Sequence, residues 1–167
     1  MTVEAGFTFA VITMSDSGAR GLREDTSGEA LKDLLCEHGY ELSHYSVIPD
    51  KIEAIVKTVT AAVDNGADLI LTTGGTGVSP TDVTPEAMDQ IIEKEVPGMA
   101  EAMRAASFSI TPKAVISRGR AGIRKQTLII NLPGSRKAAL ENIKVVLPAL
   151  SHALEKIKGS AADCAED

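Results

Sequence analysis

DLILTTGGTGVSPTDVTPEA, residues 68–87, carries the clearest mark of the fold class. Its first six residues are short, apolar and β-branched in character, as in a strand buried on both faces at the centre of a parallel sheet. The run passes directly into glycines, so a Gly-rich turn opens at the carboxyl end of that strand. Thr84 followed by Pro85 then starts a helix, and Met88, Ile91 and Ile92 continue its apolar face. Strand, glycine loop and helix in this order form part of an α/β unit. Ligands of such folds bind outside the carboxyl ends of the strands.

Upstream, FTFAVIT (residues 7–13) predicts a first buried strand, and SDSGARGLRED a polar loop leaving it. Thr26 and Glu29 form a capping-box pattern ahead of a helix with Leu31, Leu34 and Leu35 on its apolar face and Gly39 as its stop. YELSHYSVI (40–48) reads as a strand, and Ile52, Ile55, Val56, Val59 and Val63 recur at helical spacing before Gly66. Downstream, the pattern predicts a short helix from about Gly98 to Ala106, strands at AVISR (114–118) and QTLIIN (126–131), and a long helix opening at LPGS that Pro148 kinks or divides. The alternation predicts an α/β three-layer sandwich with a largely parallel sheet. Residues 1–159 are expected to form one domain and the acidic 160–167 a frayed tail.

Composition bounds the function. At 167 residues and 44% hydrophobic content the chain has an ordinary globular make-up. With aromatics at 3% and no Trp, the core must come from Val, Ile, Leu, Ala and Met. The net charge of −6 argues against a general nucleic-acid binder, yet leaves room for a small anion in a local basic pocket. Cys36 and Cys164 show no metal or redox spacing, and MTVEAGFTFAVIT has no basic region ahead of an apolar signal core. A cytoplasmic protein without membrane attachment is expected.

Four segments carry candidate chemistry. Thr73-Gly74-Gly75-Thr76-Gly77 follows the best strand, and its glycines can turn backbone N–H groups toward an anion or simply make a tight turn. Asp82, five residues on, would be repelled by a phosphate there unless a cation lay between, which points to Mg²⁺; otherwise it favours the N-terminus of the helix beginning at Thr84. Asp50 suits the same role, but Asp50-x-x-Glu53 is also a capping pattern. The run Ser117-Arg118-Gly119-Arg120-Ala121-Gly122-Ile123-Arg124-Lys125 can hold phosphates or stand as a solvated loop. At Asn131-Leu132-Pro133-Gly134-Ser135, a strand meets a helix whose amides and Ser135 hydroxyl can meet a nucleotide or merely cap. His38, His44 and His152 lie outside these loops, so no Ser-His or metal-histidine centre is visible. Transfer to a phosphate oxygen, already anionic near neutral pH, needs no such base.

Taken together, TTGGTGVSPTDVTPEA, ITMSDSGARG, VPGMAEAMR, ISRGRAGIRKQ and IINLPGS resemble the molybdopterin adenylyltransferases of the MogA/MoaB type and the N-terminal domain of gephyrin, over about Phe7 to Lys158. REDTSGEAL and GSRKA resemble the MoaB-like branch; TDVTPEA and LIINLPG look MogA-like. The resemblance implies a MogA-like fold, commonly trimeric, that binds molybdopterin and Mg-ATP and transfers AMP to the molybdopterin phosphate. It implies catalytic and Mg²⁺-binding roles for Asp82 and Asp50. Thr73, Gly74, Gly75, Thr76, Gly77, Ser117 and Arg120 fall on the substrate side, and Ser15, Asp16, Asn131, Pro133, Gly134 and Ser135 on the nucleotide side. A molybdenum-insertion protein is the implied downstream partner. The competing reading is a non-catalytic molybdopterin-binding scaffold, whose expected mark is loss of Asp82 or Asp50; both are present.

Overall fold

The computed structural model describes residues 6–160. Four strands build the parallel part of the sheet: β1 (Thr8–Met14), β2 (Glu41–Ile48), β3 (Leu69–Thr73) and β6 (Thr127–Leu132). Two short strands, β4 (Lys94–Glu95) and β5 (Ala121–Arg124), extend it, giving the order β2-β1-β3-β6-β5-β4 with antiparallel pairing at β6-β5 and β5-β4. The helices are α1 (Asp16–Ala19), α2 (Thr26–Glu37), α3 (Ile52–Asp64), α4 (Thr84–Ile91), α5 (Pro97–Ile110) and α6 (Arg136–Ile157). The expected α/β sandwich with a mostly parallel sheet is the fold observed.

Every residue of β3 is buried, because helices cover both faces of the sheet. Phe9, Val11, Leu69, Leu71, Leu128 and Ile130 pack into one core with Leu31 and Leu35 of α2 and Ile143, Leu150 and Leu154 of α6. Ala10, Ile12, Ile70 and Ile129 pack into the other with Ile55 and Val59 of α3 and Met88 and Ile91 of α4. Consecutive residues of one strand thus serve opposite cores, which is why these strands read as unbroken apolar runs. Each fully buried Leu or Ile contributes about 1.5–3 kcal/mol of burial free energy. Among the described residues no helix is long and apolar enough to cross a membrane.

Several local expectations are corrected. Residues 114–118 are not a strand: Pro112–Ile116 is a 3₁₀ helix, capped by Thr111, whose side chain accepts from Lys113 N, and fixed at its first turn by Pro112. The strand lies further on, inside the basic run, as β5, and a turn at Lys125 (φ 52°) folds it back on β6. Asp25 rather than Thr26 caps α2, accepting from Gly28 N at 2.9 Å. Helix α6 continues through Pro148 without dividing, its packed face spanning Ile143, Leu150 and Leu154. Apart from Ser160, the expected tail lies outside the described residues.

Candidate active site

The parallel pairing of β2, β1, β3 and β6 brings their carboxyl ends to one edge of the sheet. Ser15 and Asp16 leave β1 there, Asp50 follows β2, the glycine loop follows β3, and Pro133-Gly134-Ser135 follow β6. The chain runs from β1 outward to β2 and then back across to β3, so a crevice opens between the β1 and β3 loops. A cavity of about 550 Å³ occupies it, lined by Ser15, Asp16, Asp50, Thr73, Gly74, Gly75, Asp82, Gly134 and Ser135 among others. Nine of the residues singled out in the sequence thus meet in one place.

The glycine loop is held on three sides. Gly74 has φ +99°, and a Cβ there would lie 2.5 Å from the Met14 carbonyl oxygen. Gly75 has φ +67°, and a Cβ would lie 2.4 Å from Thr84 Oγ1 and 3.4 Å from Asp50 Oδ1. Both positions therefore require glycine for backbone reasons as well as space. Gly74 N donates to Leu132 O at 3.0 Å, and Thr73 Oγ1 donates to Pro133 O at 2.7 Å. Thr84 Oγ1 donates to Gly74 O at 2.9 Å. Thr84 begins α4 without capping it by a side-chain hydrogen bond; its hydroxyl is used on the loop instead.

Asp50 is likewise free of the cap role its spacing allows, since Lys51 occupies the N-cap of α3 and no side chain caps that helix. Its carboxylate Oδ2 accepts from Asp16 N at 3.1 Å, and Asp50 N donates to Asp16 Oδ1 at 3.0 Å. Burial pushes the Asp50 carboxyl above the ordinary carboxylate range; the Asp16 N–H opposes this, while the charges of Asp16 and Asp82 add to it. Asp82 Oδ2 accepts from Ser79 N at 3.0 Å, which fixes the carboxylate beside Gly77. Ser135 caps α6, its hydroxyl accepting from Ala138 N at 3.2 Å, while still lining the cavity.

A second cavity of about 260 Å³ lies on the other side of the glycine loop, lined by Thr76, Gly77, Ser117 and Pro133 with Arg104 and Asn142. Asn131 and Arg120 line neither cavity. Asn131 is buried between strands, its Nδ2 donating to Thr72 Oγ1 at 2.9 Å and its Oδ1 accepting from Arg120 N at 3.1 Å. The Arg120 guanidinium donates to Glu95, to Asp89 at 2.5 Å and to Pro85 O at 3.0 Å. Sequence reading missed Arg20, Arg23 and Ser27, which also line the larger cavity; Ser27 Oγ donates to Gly134 O at 2.6 Å. For Arg20 and Arg23 the signal was position alone, in the segment leaving the carboxyl end of the first strand, and Ser27 stands in the first turn of α2, the helix that this segment leads into.

Among the described residues, no group of three or more His, Cys, Asp or Glu side chains converges as a ready-made metal site. Asp50 and Asp82 in one cavity nevertheless fit Mg²⁺, a hard cation commonly held by one or two carboxylates, its remaining positions filled by water and substrate phosphates.

An α/β domain with a glycine loop and paired carboxylates at its strand ends is the class that fold and site define. The sequence pattern of the probable molybdopterin binding domain matches residues 10–152, and the chain belongs to that family. It is 39% identical over 155 residues to the molybdopterin adenylyltransferase of Helicobacter pylori strain J99, covering 90% of this chain and 87% of that protein. Gephyrin of Dictyostelium discoideum is 44% identical, with 90% of this chain matching 22% of that protein. The crystal structure of the molybdopterin biosynthesis enzyme MoaB from Thermus thermophilus superposes with a TM-score of 0.87 at 46% identity, covering 92% of this chain and 98% of that one.

Proposed function

We propose that this chain is a molybdopterin adenylyltransferase of molybdenum-cofactor biosynthesis, transferring AMP from Mg-ATP to the phosphate of molybdopterin with release of pyrophosphate. The observation that carries the reading is the meeting of Asp50 and Asp82 with the glycine loop and the Gly134-Ser135 junction in one cavity, neither carboxylate being used as a side-chain helix cap. Similarity to adenylyltransferases supplies the reaction class.

In this reading the larger cavity takes the nucleotide and the smaller one, with Ser117, the pterin; the phosphate of molybdopterin reaches the nucleotide across Gly74 to Gly77. A molybdopterin phosphate oxygen attacks the α-phosphorus, a new P–O bond forms and the bond to pyrophosphate breaks. Backbone amides of the loop approach the phosphates because no Cβ stands in the way at Gly74 or Gly75. Asp50 and Asp82 would hold Mg²⁺, which neutralises phosphate charge and aligns the leaving group when bound. Asp16 fixes Asp50 through the paired backbone bonds, and Ser135 presents its hydroxyl at the positive end of α6. No proton needs to be removed from the attacking oxygen, which is already anionic near neutral pH.

The test is incubation of pure protein with molybdopterin, ATP and Mg²⁺, with mass spectrometry for adenylylated molybdopterin. Its formation supports the enzyme; tight molybdopterin binding without product would favour the scaffold reading. We further propose that the protein acts in the cytoplasm as a homotrimer; association of copies is supported by the apolar side chains Phe108, Ile110, Val115 and Ile116, each more than half exposed at the end of α5 and in the following 3₁₀ turn.

A further inference from the structure

The cations that the sequence offers most openly are not the ones available to a nucleotide. In the basic run, Arg118 donates to Glu86 and to the carbonyls of Gly77 and Asp82, Arg120 is held by Asp89 and Glu95, Arg124 donates to Ile91 O, and Lys125 pairs with Asp64 at 2.6 Å. None of the four lines either cavity flanking the glycine loop. The larger cavity is itself hostile to a polyanion. Its walls carry five carboxylates, Asp16, Glu24, Asp25, Asp50 and Asp82, against two guanidinium groups, Arg20 and Arg23.

Those two arginines differ from the rest of the set. Arg20 uses Nε on Asp16 O at 3.2 Å; among the described residues no hydrogen bond involves its terminal nitrogens, and Arg23 makes no hydrogen bond or ion pair. Both are exposed on the segment between α1 and α2, and both border the cavity. The segment ends on a fixed base. Asp25 accepts from Thr13 Oγ1 at 2.7 Å, Tyr45 OH at 2.6 Å and Gly28 N at 2.9 Å, so the residue two beyond Arg23 is pinned to β1, β2 and α2. A guanidinium with unspent donors, carried on an anchored loop beside a cavity, suits bidentate capture of phosphate oxygens.

We propose that Arg23, with Arg20 beside it, binds the polyphosphate tail of the nucleotide, the part that leaves as pyrophosphate. This rests on the adenylyl-transfer reading above. The paired carboxylates and the glycine loop surround the place where the α-phosphorus is attacked, and the arginines at the rim meet the phosphates that extend from it toward solvent. Specificity follows: a triphosphate engages both places and a monophosphate only the inner one.

Calorimetric titration of the full-length protein with ATP, inorganic pyrophosphate and AMP, each with Mg²⁺ and at two salt concentrations, tests this. Arg23→Ala should weaken ATP and pyrophosphate binding by about tenfold, the loss of one charge-assisted contact, and should lower the salt dependence of both. AMP affinity should change less than about twofold, within the effect of a distant surface charge. Arg23→Lys should recover part of the loss, and Lys144→Ala, which removes an exposed charge on α6, should bind as the parent does. Unchanged pyrophosphate affinity in Arg23→Ala, or an equal loss in Lys144→Ala, overturns the clamp while leaving the adenylyl-transfer reading intact. A parent protein that binds neither ATP nor pyrophosphate overturns both.

Discussion

Asp16 and Asp50 each accept a hydrogen bond from the other's backbone N–H, at 3.1 Å into Asp50 and 3.0 Å into Asp16. The exchange ties the loop after β1 to the loop after β2 and brings two like charges together at the mouth of the cavity. Because burial raises the Asp50 carboxyl above its unfolded value, the folded protein holds that proton more tightly than the unfolded chain. Stability at this position is therefore favoured below the raised value and lost as pH rises through it from the ordinary carboxylate range.

Asp50→Asn removes this cost while keeping an oxygen for the Asp16 N–H. Thermal melts should place the variant at or above the parent at pH 7, with the gap closing as pH falls toward about 4, where an ordinary Asp takes up its proton. Adenylyl transfer should be lost. A variant melting well below the parent at pH 7 would mean that the charge itself holds the two loops.

Gly74→Ala sets a Cβ 2.5 Å from the Met14 carbonyl oxygen at a φ of +99°. The strained backbone should cost about 1–3 kcal/mol and distort the loop. Gly98→Ala, where a Cβ meets nothing within 4 Å in the first turn of α5, is the control and should stay within about 1 kcal/mol of the parent. Urea unfolding of the two variants checks the contrast; similar midpoints would argue that the β1–β3 crevice can open to admit a side chain.

Much of this was legible in the sequence because the signals were local. The apolar β-branched run at 69–73 and the glycines after it placed the central strand and its loop, and the alternation of strands with helices gave the layers. What the sequence left open was decided by contacts between separate segments. Asp50 and Thr84 each stand where a cap is expected, yet Asp50 turns to Asp16, 34 residues away, and Thr84 to Gly74. The basic run reads equally as a phosphate site or a solvated loop until Glu86, Asp89 and Glu95, from the preceding helix and edge strand, are seen beside it. Charge in a sequence shows what a segment carries; only the fold shows what is already neutralised.

Arg120→Ala follows from that point. Its guanidinium bridges Asp89 and Glu95 and donates to Pro85 O, so its loss should lower stability by about 1 kcal/mol, the upper range for partly exposed ion pairs, with little effect on the salt dependence of ATP binding. Denaturation midpoints and ATP titrations at two salt concentrations measure both. A large fall in ATP affinity with unchanged stability would return Arg120 to the binding site.

If the exposed apolar side chains at the end of α5 are covered by a second copy, a charge there should break the assembly. Phe108 is 57% exposed and lines neither cavity flanking the glycine loop, so Phe108→Asp should leave the monomer fold intact. Light scattering should report a trimer for the parent and a smaller species for the variant. A parent that is monomeric at micromolar concentration and fully active would remove the trimer.

The sharpest separation of chemistry from architecture lies between Asp82 and Thr84, two residues apart at the start of α4. Asp82→Asn keeps an oxygen for the Ser79 N–H and removes the negative charge, so the melting temperature should move little while turnover falls steeply. Molybdopterin binding should survive better than turnover, since the second cavity is untouched. Thr84→Val keeps the shape of the side chain but deletes the hydroxyl that donates to Gly74 O at 2.9 Å in a buried setting. An acceptor left without its partner there should cost about 1–3 kcal/mol. Because Gly74 borders the cavity, turnover should fall as well, which a hydroxyl used only as a helix cap would not produce. Melting curves and adenylyl-transfer rates on the two variants give four readings. The assignment fails if Asp82→Asn turns over at the parental rate with the parental Mg²⁺ dependence, or if Thr84→Val loses stability and keeps full activity.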